Sequence, residues 1–165
     1  MAHEQDKFVL PASVVTPIDV GRLFRELTDV DDFLTQARVR TPGEPVRLPK
    51  SSRELDDIAK TNKLNLLDKS DRQLLIGQFK KVRQEAPVLH MSFAAEPSAA
   101  FLQKLISWLR REIHADVLVQ IGLQPSIAAG CTLRTENRYF DFSLRRHLVG
   151  KRDMLIQRLQ KEPKT

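Results

Sequence analysis

Sulfur and aromatic chemistry are scarce in this sequence of 165 residues: one cysteine, one tryptophan, one tyrosine and 6% aromatics in all. A lone Cys131 closes no internal disulfide and supplies no metal cluster, which fits a reducing compartment and a small core residue on a strand. The four histidines, His3, His90, His114 and His147, have no metal-ligand spacing with one another or with Cys131. Glycine is also sparse, six in number. Gly122 and Gly130 stand alone with no Gly-Lys-Ser/Thr after them, which argues against a phosphate-cradling loop. Ser126 follows Pro125 and lacks the G-x-S-x-G elbow of a nucleophile. No apolar run approaches the ~18 residues that suggest a membrane span, and the stretch MAHEQDKFVL has neither a basic nor an apolar segment of the signal-peptide kind. A non-catalytic, cytoplasmic protein without cofactor or metal is the expectation.

What is present is a foldable chain, 41% hydrophobic and 29% charged, long enough for one domain or two small ones. Its net charge of +6 is unevenly placed, with 15 basic against 14 acidic residues in 1–86 and 12 against 7 in 87–165. Arg134, Arg138, Arg145, Arg146, Lys151, Arg152 and Arg158 carry most of the excess. Such a cluster suits an acidic partner, a phosphate backbone or a solvated helix face.

Residues 1–15 carry no clear pattern and read as a flexible N-terminus. From Pro17 to Arg40 a long helix is predicted, with Thr16 or Asp19 as cap and Pro17 tolerated in its first turn. Val20, Leu23, Leu27, Val30, Leu34 and Ala37 recur three and four apart, and Phe24 and Phe33 widen the stripe. Val20, Leu23, Leu27 and Val30 serve either the core of their own bundle or a groove for a partner helix. The segment TPGEPVRLPK, 41–50, has three prolines and a glycine and reads as a connection. A short helix follows to about Lys60 with Leu55, Ile58 and Ala59 inward. Another runs from Ser70 to Glu85 with Leu74, Leu75, Phe79 and Val82 on one side. Residues 16–86 therefore read as a small helical bundle.

At Pro87 the period changes. Residues 88–93 alternate as a strand, 97–114 form a helix with Phe101, Leu102, Leu105, Ile106, Leu109 and Ile113 on a broad face, and 116–122 alternate again. Two further strands flank the polar turn Thr135 to Arg138, Phe140 and Phe142 facing the core. A final helix runs from Leu144 to about Gln160, with Gly150 as a weak point. The fold class is α+β: a helical bundle over 16–86, a β-α-β-β-β-α domain with a mixed sheet over 87–160, and a tail at 161–165. The first two strands should be parallel and the last pair a hairpin.

Within that second domain Pro125, Ser126, Ile127, Gly130, Leu133, Arg134, Asp141, Ser143, Leu144, Arg145 and Leu148 keep the order P-S-I-x-x-G, a strand, then D-x-S-L-R-x-x-L. This stretch resembles the C-terminal signature of the delta subunit of F-type ATP synthases, the family of the oligomycin-sensitivity-conferring protein. Gln124 and Ala129 stand where family members often carry an acidic residue and the first of a glycine pair. The resemblance covers roughly 87–159. It implies a non-catalytic stator subunit that links the catalytic headpiece to the peripheral stalk and resists rotor torque during proton-driven ATP synthesis. Its implied partners are the N-terminal helices of the alpha subunits and the C-terminal end of the b subunit, at the cytoplasmic face of the plasma membrane and attached only through the complex. It implies no direct nucleotide and no nucleic acid. Only some 70 residues stand where the family has a longer six-helix bundle, so no alpha-contacting residue carries over. The basic residues Arg146, Lys151 and Arg152 would meet an acidic stalk. The alternative from composition is a basic nucleic-acid-binding adaptor, with Tyr139 and Phe140 interleaved among arginines.

Overall fold

The computed structural model describes residues 8–40, 49–135 and 137–161, without the side chains of 146, 147, 155 and 159–161. The connection at 41–48, Glu136 of the hairpin turn and residues 162–165 of the tail lie outside the described residues. The chain divides into two compact units, one of residues up to 88 together with 100–118, the other of 89–99 together with those from 119 onward.

The first unit is helical. Helix α1 (Pro17–Arg40) begins at a reciprocal cap: the Asp19 carboxylate accepts from the Thr16 backbone at 2.8 Å, and the Thr16 hydroxyl oxygen accepts from the Asp19 N–H at 3.1 Å. Its stripe of Val20, Leu23, Leu27, Val30 and Leu34 is buried as the spacing predicts. Phe33 departs from that stripe and is about half exposed. Helix α2 (Arg53–Thr61) is capped by Ser52 and buries Leu55, Ile58 and Ala59. Helix α3 (Lys69–Glu85) is capped by Asp68 and buries Arg72, Leu75, Phe79 and Val82. Leu74, predicted inward, is exposed, because it sits one residue, ~100° of helix rotation, away from Leu75. Arg72 takes the inward place. It is fully buried, with Nε 2.6 Å from Asp31 of α1 and Nη1 donating to the Leu66 and Leu67 carbonyls at 3.0 Å.

The described part of the predicted flexible N-terminus is part of this unit. Leu10 and Val14 belong to its core cluster, the Phe8 ring meets Phe79 edge-on at 6.3 Å, and the Val9 backbone exchanges two hydrogen bonds with the Asn62 amide. Helix α4 (Ala99–Glu112) completes the unit from Ala100 onward. The boundary read at 86/87 is thus crossed, since α4 groups with the first unit and its Arg110 is bonded to residues 10–14 of that unit. Its broad apolar face is narrower than predicted: Ile106 and Leu109 are buried, whereas Phe101 and Ile113 are exposed.

The second unit is built on a four-stranded mixed sheet in the order β2-β1-β3-β4, from β1 (Val88–Phe93), β2 (Leu118–Leu123), β3 (Gly130–Arg134) and β4 (Tyr139–Ser143). The β1–β3 and β3–β4 pairs are antiparallel, which leaves β1 and β2 as the parallel pair that a crossover helix requires. The register puts Met91, Leu133 and Phe140 in one cross-strand row, and Phe93, Cys131 and Phe142 in the next row on the same face. Ser92, Thr132 and Asp141 line the opposite face. The last helix is broken at Lys151 into α5 (Leu144–Gly150) and α6 (Arg152–Lys161), where the sequence placed its weak point.

Candidate partner-binding surfaces

Part of the sequence signature meets at one corner, around Gly130, Asp141, Ser143 and Leu144, while Leu133 and Arg134 lie toward the hairpin end of β3, paired with Phe140 and Tyr139. The Gln124 N–H donates to the Phe93 carbonyl at 2.8 Å, which ends β2, and Pro125–Ile127 turn as a short 3₁₀ helix whose Ile127 is buried. Ala128 then adopts φ 67, ψ −53, and the Ala129 N–H closes a three-residue γ-turn on the Ile127 carbonyl at 2.9 Å. Gly130 follows at φ +90 and pairs with Ser143 across the hairpin. A Cβ at Gly130 would run into the Phe142 carbonyl and lie 3.2 Å from Ser143 Cα, so both the dihedral and the close approach require glycine. The Leu144 N–H donates to the Ala129 carbonyl at 2.9 Å, and the Ser143 N–H to the Asp141 carboxylate at 2.9 Å. Two chain reversals are therefore tied to each other where α5 starts.

The signature residues divide by exposure. Ile127 and Ser143 are buried and Asp141 and Leu133 half-buried, forming the frame, while Pro125, Ser126, Arg134, Leu144, Arg145 and Leu148 face outward. Around the outward group the second unit displays apolar surface that the alternation had assigned to the core. Phe142 is 56% exposed and Phe140 is 37% exposed, their rings stacked at 6.2 Å. The correction has a simple cause: on this face burial fades outward from Met91 and Phe93 on β1, through half-buried Cys131 and Leu133 on β3, to the edge strand β4. Leu144, Leu148 and Val149 on α5 and Met154 and Ile156 on α6 are exposed as well, and so are Arg134, Arg138, Arg145, Lys151, Arg152 and Arg158 of the same stretch of chain. Arg146 lies on α5 with its side chain outside the described residues.

The other suggested docking stripe is closed. Val20, Leu23 and Leu27 are fully buried members of the helical core cluster and Val30 is nearly so. They hold α1 against its own bundle and offer nothing to a partner helix. Among the described residues no group of three or more His, Cys, Asp or Glu side chains is placed to hold a metal ion. Burial pushes the Cys131 thiol up from its ordinary value, away from the thiolate a nucleophile needs. His90 is exposed beside Arg134 in the sheet register. No helix is long and apolar enough to cross a membrane among the described residues.

Neither protein-family models nor curated proteins give a match to the chain.

Proposed function

We propose that this chain is a non-catalytic stator subunit of an F-type ATP synthase, its second unit holding the b-subunit stalk and its helical unit meeting the alpha subunits of the headpiece. The observation that carries the reading is the corner at Gly130. Gly130, Asp141, Ser143 and Leu144 of the delta-like signature are there tied together, and the same unit exposes the apolar side chains of Phe140, Phe142, Leu144 and Leu148 together with Arg134 and Arg145. An amphipathic helix with acidic flanks complements such a surface, its apolar face covering Phe140 and Phe142 and its carboxylates meeting arginines. A mechanical joint of this kind needs area and complementary charge and no acid, base or cofactor. Membrane association follows through the complex, at the cytoplasmic face of the plasma membrane.

The test is a tagged pull-down from gently solubilised, nuclease-treated native membranes, washed at moderate salt and read by mass spectrometry, with wild type beside Phe142→Glu. Recovery of alpha, beta and b subunits, reduced by the substitution, supports the reading; their absence with wild type sinks it. A second reading, a nucleic-acid adaptor, draws on one observation, the stacked and exposed Phe140–Phe142 pair near Arg134 and Arg138. Its signature is oligonucleotide binding that collapses as salt rises, which helix-in-groove docking resists.

A further inference from the structure

The helical unit has a second candidate surface, independent of the corner and of the stator reading. The N-terminal segment lies against α4, held there by Arg110: Nη1 donates to the Leu10 and Pro11 carbonyls at 2.9 and 2.8 Å, and Nη2 to the Val14 carbonyl at 2.6 Å. Between segment and helix run two adjoining hollows of about 460 and 330 Å³, and Ala12, Ser107 and Arg111 line both. Ala100, Lys104, Trp108 and Arg111 follow one another along α4 at intervals of four, four and three residues, so they share one face of the helix. Trp108 is half exposed between the two cations.

Charge decides what fits. Helix α4 carries Lys104, Arg110 and Arg111 against the single carboxylate of Glu112. All described hydrogen bonds of Arg110 end on carbonyl oxygens and Asp116 supports its charge through space, so Arg110 fastens the segment and the groove's accessible charge is that of Lys104 and Arg111. Arg111 is paired with neighbouring Glu112 at 2.7 Å, but both side chains are largely exposed, and such a pair exchanges readily for an incoming carboxylate. Lys104 and Arg111 are seven residues, about 10.5 Å, apart along the helix. A partner helix laid alongside places carboxylates at that same interval on one of its faces, with apolar residues three and four positions along meeting the Trp108 indole.

We propose that this groove docks an acidic amphipathic helix of another protein, with acidic residues seven apart and an apolar pair between them. Lys104 and an Arg111 held only by an exposed, exchangeable Glu112, either side of the Trp108 indole, favour such a helix over a nucleic acid, which needs a longer row of phosphate contacts. Trp108 is the only tryptophan in the chain, so its emission reports on the groove directly. The probe is a capped peptide built on Glu-Ala-Ala-Leu-Leu-Ala-Ala-Glu, repeated twice, titrated into the full chain. Its control carries Lys for every Glu.

A saturable blue shift of Trp108 emission with the acidic peptide is expected, and none with the basic one. The double substitution Lys104→Glu with Arg111→Glu is expected to weaken acidic-peptide binding about tenfold or more and to admit the basic peptide. Both positions are exposed, and an unchanged far-UV circular dichroism spectrum confirms that the variant is folded. The proposal is overturned by the absence of a saturable shift, by equal response to both peptides, or by unchanged affinity in the double variant. Tighter displacement by a single-stranded oligonucleotide, or a shift with rising protein concentration alone alongside dimer sedimentation, also overturns it.

Discussion

Replacing Gly130 by alanine tests the corner most directly. The residue sits at φ +90, where an L side chain costs roughly 1–2 kcal/mol from its own backbone. The added Cβ also collides with the Phe142 carbonyl, with the Phe142 carbonyl carbon at 3.3 Å and Ser143 Cα at 3.2 Å. All three atoms are backbone, so the clash is relieved only by moving β4, an overpacking cost of about 1–3 kcal/mol. The sum is about 2–5 kcal/mol, a large share of a stability of ~5–15 kcal/mol. Urea denaturation read by hydrogen exchange localises the loss. The Leu144 amide, bonded to Ala129, and the β3–β4 ladder should lose protection while α1 and α3 keep theirs. Gly77→Ala is the internal control: nothing lies within 4 Å of its Cβ and it is inside α3, so the same chemical change should stabilise by about 0.5–1 kcal/mol. If Gly130→Ala stays within ~0.5 kcal/mol of wild type with Leu144 still protected, the account of the corner is wrong.

Four further outcomes are expected. Arg72→Ala should cost about 3–5 kcal/mol in denaturant titration, because Asp31 loses its buried partner and the Leu66 and Leu67 carbonyls lose a donor. Hydrogen bonds from the Ser70 hydroxyl and N–H hold the Asp68 carboxyl below its ordinary 3.8. Its contribution is therefore fully present above that value and fades as pH falls through the lower folded value, so Asp68→Asn should flatten that part of an acid-unfolding profile. Arg110→Ala removes the donor shared by the Leu10, Pro11 and Val14 carbonyls and should speed limited proteolysis within residues 8–15, while the α3 amides stay protected. Cys131, half-buried with a raised thiol, should react with iodoacetamide at neutral pH more slowly than a free thiol and catch up on unfolding.

Local rules were legible in the residues themselves. The α1 stripe, the Thr16–Asp19 cap, the stop at Pro87 and the glycine at Gly130 each follow from a neighbourhood of a few residues, and each is where the sequence put it. Distance along the chain hid the rest. The bonds from Arg110 to Leu10, Pro11 and Val14 join residues 96 to 100 positions apart, so the N-terminal segment looked unstructured on its own. Arg72 is polar and was passed over, although Asp31 and two carbonyls make its burial tolerable. Alternation in β4 told that Phe140 and Phe142 share a face but not that the face lies at a sheet edge, because strand order is a property of the whole sheet. The same gap explains why these outward apolar side chains were missed while the signature residues of the same unit were named.

The division of the chain into two units carries a consequence for its synthesis. The polypeptide passes from the first unit to the second at 88, returns at 100 and leaves again after 118. No single cut therefore releases either unit whole, and a fragment ending at 88 would lack α4 and the guanidinium that fastens residues 10–14. On a ribosome adding roughly 5–20 residues per second, that fastening waits about 5–20 seconds after its acceptors have been made. Until then Leu10 and Val14 have the apolar cluster of the earlier helices to pack against, while the carbonyls of Leu10, Pro11 and Val14 wait for the donor that the last helix of the unit brings.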